Sequence, residues 1–348
     1  MLLISLGTTA GLRRADERLR ADLEREGLTV AVARGRYDAL DRWPQQPFLD
    51  LYQALSGHVS VRRALRRLRP RSIVHASPVT ALFEPAERLR RSVIRFDAPL
   101  LHSRPGVRNG VQRTLERRAL RLARAIAPYS PRPTPRLLAA APADADVIPV
   151  GFPIDLPERV APDRDPIVLC YAGSPRKKGL DFVAQAWSRA DRKGRRLVVA
   201  GIERAAGLRF LSDHGVPEPP DTDWAGWLAA DEFAGLLGRA EVFVGASRRD
   251  EYGTAQLQAL AAGCLLVHAE VPGFCEPLEL AAGLDRELIA PAQDAEGLAR
   301  CLERAFSRGP EARAAYVAEA RSLLSEYTTP AFAAILRERL VPALKGRT

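Results

Sequence analysis

Residues 1–150 contain no lysine. They carry 27 arginines against 14 acids, a net charge of +13, while the whole chain stands at +10, so residues 151–348 are slightly acidic at −3. A basic half of this kind suits an anionic partner, whether nucleic acid, anionic lipid headgroups or a phosphorylated substrate. Arginine used throughout on ordinary solvated helix faces would give the same count. Aromatics are scarce too, at 6% of the chain. No stacking rings stand among the arginines, which argues against nucleic acid as the partner. Long hydrophobic runs are missing: no stretch of about 18 uncharged apolar residues occurs, and the opening MLLISLGTTAG turns to glycine and threonine after six residues. Neither a membrane span nor a signal peptide is expected, and the chain is expected in the cytoplasm, with the inner face of the cytoplasmic membrane within reach of its basic half. The four cysteines, Cys170, Cys264, Cys275 and Cys301, form no CxxC and adjoin no histidine pair. That excludes a zinc site and a disulfide framework and leaves reduced, mostly buried thiols.

What is present is alternation. A chain of 348 residues is long for one core, and two domains are expected. LLISL (2–6), LTVAVA (28–33), SIVHA (72–76), SVIRF (92–96) and AIAPYS (125–130) have strand length and β-branched content. Between them lie amphipathic stretches such as ADERLRADLEREG, stopped by Gly27, and SVRRALRRLRP, stopped by Pro70. Ten prolines fall between 128 and 166, too many for a continuous element, so the linker is placed within 150–166. Alternation then resumes with IVLCYAG, RRLVVAG, a loop to GWL, a helix from Asp231, EVFVGAS, a helix from 254, CLLVHAE, ELIAP and a helix from 294. The expected fold class is α/β: two Rossmann-like, doubly wound parallel-sheet domains, residues 1–150 and 151–328, with a cleft between them and a last helix at about 329–348 packing back on the first.

In open parallel sheets ligands gather at the carboxyl ends of strands. In YAGSPRKKGLDF a strand end at Gly173 leads to a loop bearing Arg176, Lys177 and Lys178 before Gly179 opens a helix. Mobile cations beside free helix-start amides make a phosphate site, although a solvated basic turn has the same composition. In SRRDEYGTAQLQALAAGC, Gly253 permits close approach to the backbone, and the amides at Thr254 and Ala255 are helix-start donors. Asp250 at the loop end can accept from a hydroxyl, and Gln258 one turn into the helix can meet a diol. A diphosphate between them, flanked by hydroxylated rings, describes a nucleotide sugar.

With these residues the stretch GWLAADEFAGLLGRAEVFVGASRRDEYGTAQLQALAAGCLLVHAEVPGFCEP resembles the donor-binding half of the family-4 glycosyltransferases, retaining enzymes of GT-B fold. The similarity runs from about residue 147 to 306, and residues 1–130 follow the same order of elements with weaker motifs. The resemblance implies that residues 151–328 bind a nucleoside diphosphate sugar and residues 1–150 a glycan or lipid-linked acceptor, with no metal and no further cofactor. It implies that Asp250 holds sugar hydroxyls and Gln258 the ribose diol, where the family has two glutamates. Lys178 and Gly179 match the family's Lys-Gly; Ser174 stands where it has arginine, in a loop one residue shorter, and Arg176 can supply that cation. Gly273 and Glu276 match a glycine and a glutamate after the next strand. Gly11 matches one of a glycine pair near the donor phosphates. Phe96-Asp97 stands at the family's His-Asp, so Asp97 matches and the histidine is gone; His102 lies five residues on. The implied reaction is retention through a front-face displacement, with Asp97 as nucleophile the weaker route. A nucleotide-binding but non-catalytic partner protein and a nucleotide-sugar epimerase share this fold and remain open.

Overall fold

The computed structural model describes residues 1–5, 10–34, 46–97, 109–135, 137–161, 163–250, 252–272 and 275–346. The chain divides into two compact units, Met1–Pro153 with Thr329–Thr348, and Ile154–Thr328. Among the described residues no helix is long and apolar enough to cross a membrane.

Unit 1 is built on a five-stranded sheet of order β2-β1-β3-β4-β5, all parallel: β1 Leu2–Ser5, β2 Ala31–Arg34, β3 Ile73–His75, β4 Ser92–Phe96 and β5 Ala125–Pro128. Its strands read as apolar runs because both faces are covered. The period of two shows in β1. Leu3 joins a cluster with Leu19 and Leu23 of α1 (Ala10–Arg25), whereas Leu2 and Ile4 join Val61 and Leu65 of α2 (Gln46–Leu68). A short α3 (Ala86–Leu89) and α4 (Gly110–Leu122) complete the first pass of the chain. The C-terminal segment adds Leu336, Leu340 and Leu344, four residues apart, to the α1 side of the core. There a π-helical turn, Leu336–Leu340, links α12 (Thr329–Ile335) to α13 (Val341–Lys345) (α5 to α11 belong to unit 2).

Unit 2 carries a six-stranded parallel sheet of order β11-β10-β9-β6-β7-β8. The strands are β6 Asp165–Tyr171, β7 Arg196–Ala200, β8 Thr222–Gly226, β9 Ala240–Gly245, β10 Leu265–Ala269 and β11 Ile289–Ala290. Its helices are α5 Leu180–Arg189, α6 Arg204–Asp213, α7 Ala230–Arg239, α8 Thr254–Ala262, α9 Glu276–Leu284, α10 Ala295–Phe306 and α11 Pro310–Leu324. The expected loop between RRLVVAG and GWL is instead α6 and the edge strand β8. An edge strand covered on one side needs no apolar run, and TDWAG offers only Trp224, whose ring packs so close to Gly207 of α6 that a Cβ there would fall 2.2 Å from it.

Candidate functional site

Strands β6 and β9 are neighbours, so the segments leaving their carboxyl ends meet although some seventy residues separate them. After β6 the cationic stretch, expected as a loop, is a turn of helix, Pro175–Lys178, with Ser174 before it and the Lys178 amide bonded to the Ser174 carbonyl at 2.8 Å. Proline starts this turn and Gly179, at φ +67°, ends it. Only glycine fits at 179, because a Cβ there would lie 1.9 Å from the carbonyl oxygen of Ala246, just past β9. Arg248 straps the two segments together. Its amide donates to the Lys177 carbonyl at 2.9 Å, and its guanidinium donates to the Arg176 carbonyl at 2.9 Å and forks onto both oxygens of Asp181 at 2.8 and 2.5 Å. Burial alone would raise the Asp181 pKa, but bonding to Arg248 and its charge bring it below the usual value.

Asp250 is buried at the centre of the site. Its Oδ2 accepts from the Lys178 ammonium, from Gln256 Nε2 at 3.0 Å and from Ser247 Oγ at 3.3 Å. Burial pushes this carboxyl up, yet Lys178, Lys177 and the hydrogen bonds outweigh it and leave the pKa lowered, so Asp250 is ionised at neutral pH. Lys178 keeps 16% of its side chain in solvent, with its ammonium 6.0 Å from the Tyr171 ring centre. Lysine is uncommon here: the chain has four against forty-eight arginines, and two of the four are Lys177 and Lys178.

Gly253, at φ +65°, turns the chain into α8 with no room for a side chain, since a Cβ would come within 2.6 Å of Pro277. Thr254 and Ala255 follow, and their amides have no intrahelical acceptor. Gln258 is exposed on α8 and is not brought to Asp250; the amide that reaches the carboxylate is Gln256, which the sequence reading missed. Leu260, four residues on and buried, was the available signal that position 256 faces inward. His268 was missed as well. It lies fully buried at the end of β10, its Nε2 3.4 Å from Gln256 Nε2, and desolvation pushes its pKa down to about 4.

The remaining candidates scatter. Ser174 and Arg176 are exposed and Lys177 half-buried beside Lys178. Glu276 is the buried first residue of α9, and its Oε1 accepts from the Tyr327 hydroxyl. Gly11, in the first turn of α1, and Asp97, just past β4 and the buried Phe96, belong to unit 1. Gly273 and His102 lie outside the described residues. Among those residues no group of three or more His, Cys, Asp or Glu can hold a metal ion.

A family model described as glycosyl transferases group 1 matches residues 165–308. Among solved structures the chain is similar to sucrose-phosphate synthase from Thermosynechococcus elongatus, at 16% identity over 100% of this chain and 99% of that one, with a TM-score of 0.72. It is similar to WaaG, a glycosyltransferase involved in lipopolysaccharide biosynthesis, at 14% identity over 99% and 100%, TM-score 0.69. It is similar to HepE of Anabaena, solved with UDP and glucose, at 15% over 99% and 98%, TM-score 0.61. No curated protein matches the sequence. At these identities the structural likeness carries the fold, two Rossmann-like parallel-sheet units of GT-B type, and the segment that builds the Lys178–Asp250 site lies inside residues 165–308, the part of the chain that the glycosyl transferases group 1 model matches.

Proposed function

We propose that the protein is a retaining glycosyltransferase that moves a sugar from a nucleoside diphosphate donor to a glycan or lipid-linked acceptor. The observation that carries this reading is the seating of Lys178 on buried Asp250, beside the helix-start amides of α8, at the carboxyl ends of β6 and β9. In the reaction the bond from the anomeric carbon to the diphosphate oxygen breaks and its electron pair leaves with the phosphate. The acceptor oxygen bonds to the same face of that carbon, and its proton passes to the departing phosphate. Negative charge grows on the diphosphate, and prepositioned cations and amides stabilise it: Lys178 first, then Arg176, Lys177 and the amides of Thr254 and Ala255. These cations supply the charge that a metal would supply elsewhere, and the proposal includes no metal. Asp250 would accept from sugar hydroxyls and Gln258 from the ribose; Gly11 would approach the donor phosphates, and Asp97 would serve as nucleophile only in the weaker, two-step route. Melting-temperature screening and calorimetry against nucleoside diphosphates and their sugars test the reading, because a ligand of the folded form raises its melting point. Binding of uridine or another nucleoside diphosphate, followed by sugar transfer with the donor's anomeric configuration kept, is the expected result. A protein that binds none of them is not a glycosyltransferase.

For the acceptor, one surface of unit 1 supports lipid. On α2, Tyr52, Leu55 and Val59 form one stripe, exposed by 44, 53 and 60%, and Arg62, Arg66 and Arg67 continue it. On α4, Val111 is 66% exposed and Arg117, Arg118 and Arg121 face solvent. Apolar side chains that water disfavours, set among arginines, match an anionic bilayer surface at the inner face of the cytoplasmic membrane. Flotation with phosphatidylglycerol vesicles is expected to recover the protein at physiological salt, and substitution of Leu55→Ser with Val59→Ser is expected to abolish recovery. Equal recovery with neutral vesicles would remove this part of the proposal.

A further inference from the structure

Gln256 has no place in the roles assigned above, yet it is the more costly of the two glutamines on α8. It is 2% exposed, and its Oε1 has no hydrogen-bond partner among the described residues. A buried amide costs free energy unless its groups are bonded, so a leucine would pack there more cheaply. What the amide provides is its nitrogen. The two hydrogens of Nε2 have two acceptors, Asp250 Oδ2 at 3.0 Å and His268 Nε2 at 3.4 Å.

His268 determines which way the amide faces. Its Nδ1 lies 2.5 Å from the Ala269 carbonyl oxygen, so Nδ1 carries the hydrogen and Nε2 offers the lone pair. With the amide reversed, its oxygen would face both that lone pair and the Asp250 carboxylate. The chain makes room for the ring at a cost of its own: the cross-strand partner of His268 is Gly245, where a Cβ would fall 2.5 Å from the imidazole.

We propose that Gln256, oriented by His268, is a positioning residue that holds the Asp250 carboxylate in place while Lys178 turns from it to the diphosphate of the donor; this rests on the glycosyltransferase reading. In the structure the ammonium is engaged with Asp250. A diphosphate competes for it, and withdrawing a cation from a buried carboxylate is costly unless other donors remain. Gln256 and Ser247 are those donors. Without Gln256 the carboxylate either keeps Lys178 or takes up a proton, and either outcome weakens the grip on phosphate. The groups facing Asp250 are Lys178 and Lys177 from the helical turn, Ser247 from its own segment, Gln256 from α8 and His268 from β10. His268, with its pKa pushed down to about 4, stays neutral between pH 5 and 8, so acid sensitivity of the site in that range is assigned to the carboxylate.

Titration calorimetry with uridine diphosphate from pH 5 to 8 tests this. Gln256→Met keeps length and volume and removes both donors. It is expected to weaken binding about fivefold at pH 7.5, the worth of one net hydrogen bond, with the gap widening toward pH 5. His268→Leu is expected to act in the same direction by about twofold, because the amide loses its orientation and keeps its hydrogens. Wild-type affinity and pH dependence in Gln256→Met overturn the proposal; should that variant not fold, the same result in His268→Leu overturns it. Melting temperature against pH, without ligand, separates the two readings. If uridine diphosphate fails to bind the unmodified protein, the donor assignment falls, whereas an acid limb of stability that moves up in pH in Gln256→Met still reports the restraint of Asp250.

Discussion

Each unit contains an aspartate buried against a cation, and two such pairs, Asp16–Arg95 and Asp250–Lys178, behave in opposite ways. In unit 1, Asp16 lies 3.7 Å from the Arg95 guanidinium, both almost fully enclosed. Arg95 spends its charge elsewhere: it donates to the Val150 carbonyl at 3.3 and 3.2 Å and lies over the Tyr129 ring at 4.8 Å. Burial therefore dominates Asp16 and its pKa is raised, despite a hydrogen bond from Ser5 and the charge of Arg95. In unit 2 the cation is lysine, its side chain keeps 16% exposure, and the Asp250 pKa is held below its usual value. A planar, fully enclosed guanidinium fixed by a carbonyl and a ring is a structural element. A single ammonium on a flexible stem, shared between a carboxylate and the solvent, is free to change partner.

Breaking the pairs should separate stability from function. Arg95→Leu leaves Asp16 buried without its cation and the Val150 carbonyl without its donors, and the loss expected for such a change is about 3–5 kcal/mol, read as a fall in the guanidinium midpoint of unit 1. Lys178→Ala should cost less in stability, about 1–3 kcal/mol, because Asp250 keeps Gln256 and Ser247. Its turnover should nevertheless fall by roughly 10²–10³, the usual loss when a charge-stabilising donor is removed. If Lys178→Ala were the variant that unfolds and Arg95→Leu the one that loses turnover, the contrast would be reversed.

Acid sharpens the comparison. Asp250 has a folded pKa below the ordinary 3.8, so its contribution to stability is complete above that value and is lost as pH falls through the folded one. Asp16 has a folded pKa above 3.8, so its contribution is complete below that value and is lost as pH rises through the folded one. Melting curves between pH 3 and 7 should show Asp250→Asn losing part of the acid destabilisation and Asp16→Asn gaining acid destabilisation. Parallel curves for the two variants would mean that the pairs are alike.

Much of this was legible in the sequence, and the parts that were not have physical reasons. LLIS, SVIRF and the core of IVLCY read as strands because parallel strands are buried on both faces. Strand β8 was hidden because an edge needs no such run. The order Pro175, Lys178, Gly179 already spelled a helical turn, with proline at its start and glycine at its stop, but three adjacent cations read as a phosphate-binding loop. The pairing of Lys178 with Asp250 was not legible at all. It follows from β6 and β9 lying side by side, which depends on the order of the whole sheet.

The smallest expected effect concerns the exposed glutamine. Gln258 shares α8 with Gln256, but two residues along a helix turn the side chain through about 200°, so one amide faces Asp250 and the other faces solvent. If Gln258 meets the ribose diol, Gln258→Glu replaces a neutral acceptor by a charged one. A charged hydrogen bond is about twice as strong as a neutral one in place, but solvent screens most of that gain at an exposed position. Affinity for a nucleoside diphosphate should therefore rise by only about two- to threefold, with no change in melting temperature or in the pH dependence of the empty protein. The same change at Gln256 would set a second carboxylate within reach of Asp250, where two like charges cannot both ionise, and should raise one pKa and lower the melting temperature at neutral pH. Calorimetry and melting curves on the two variants thus ask whether the buried amide and the exposed one do different work. Equal responses would show that burial on α8 does not distinguish them.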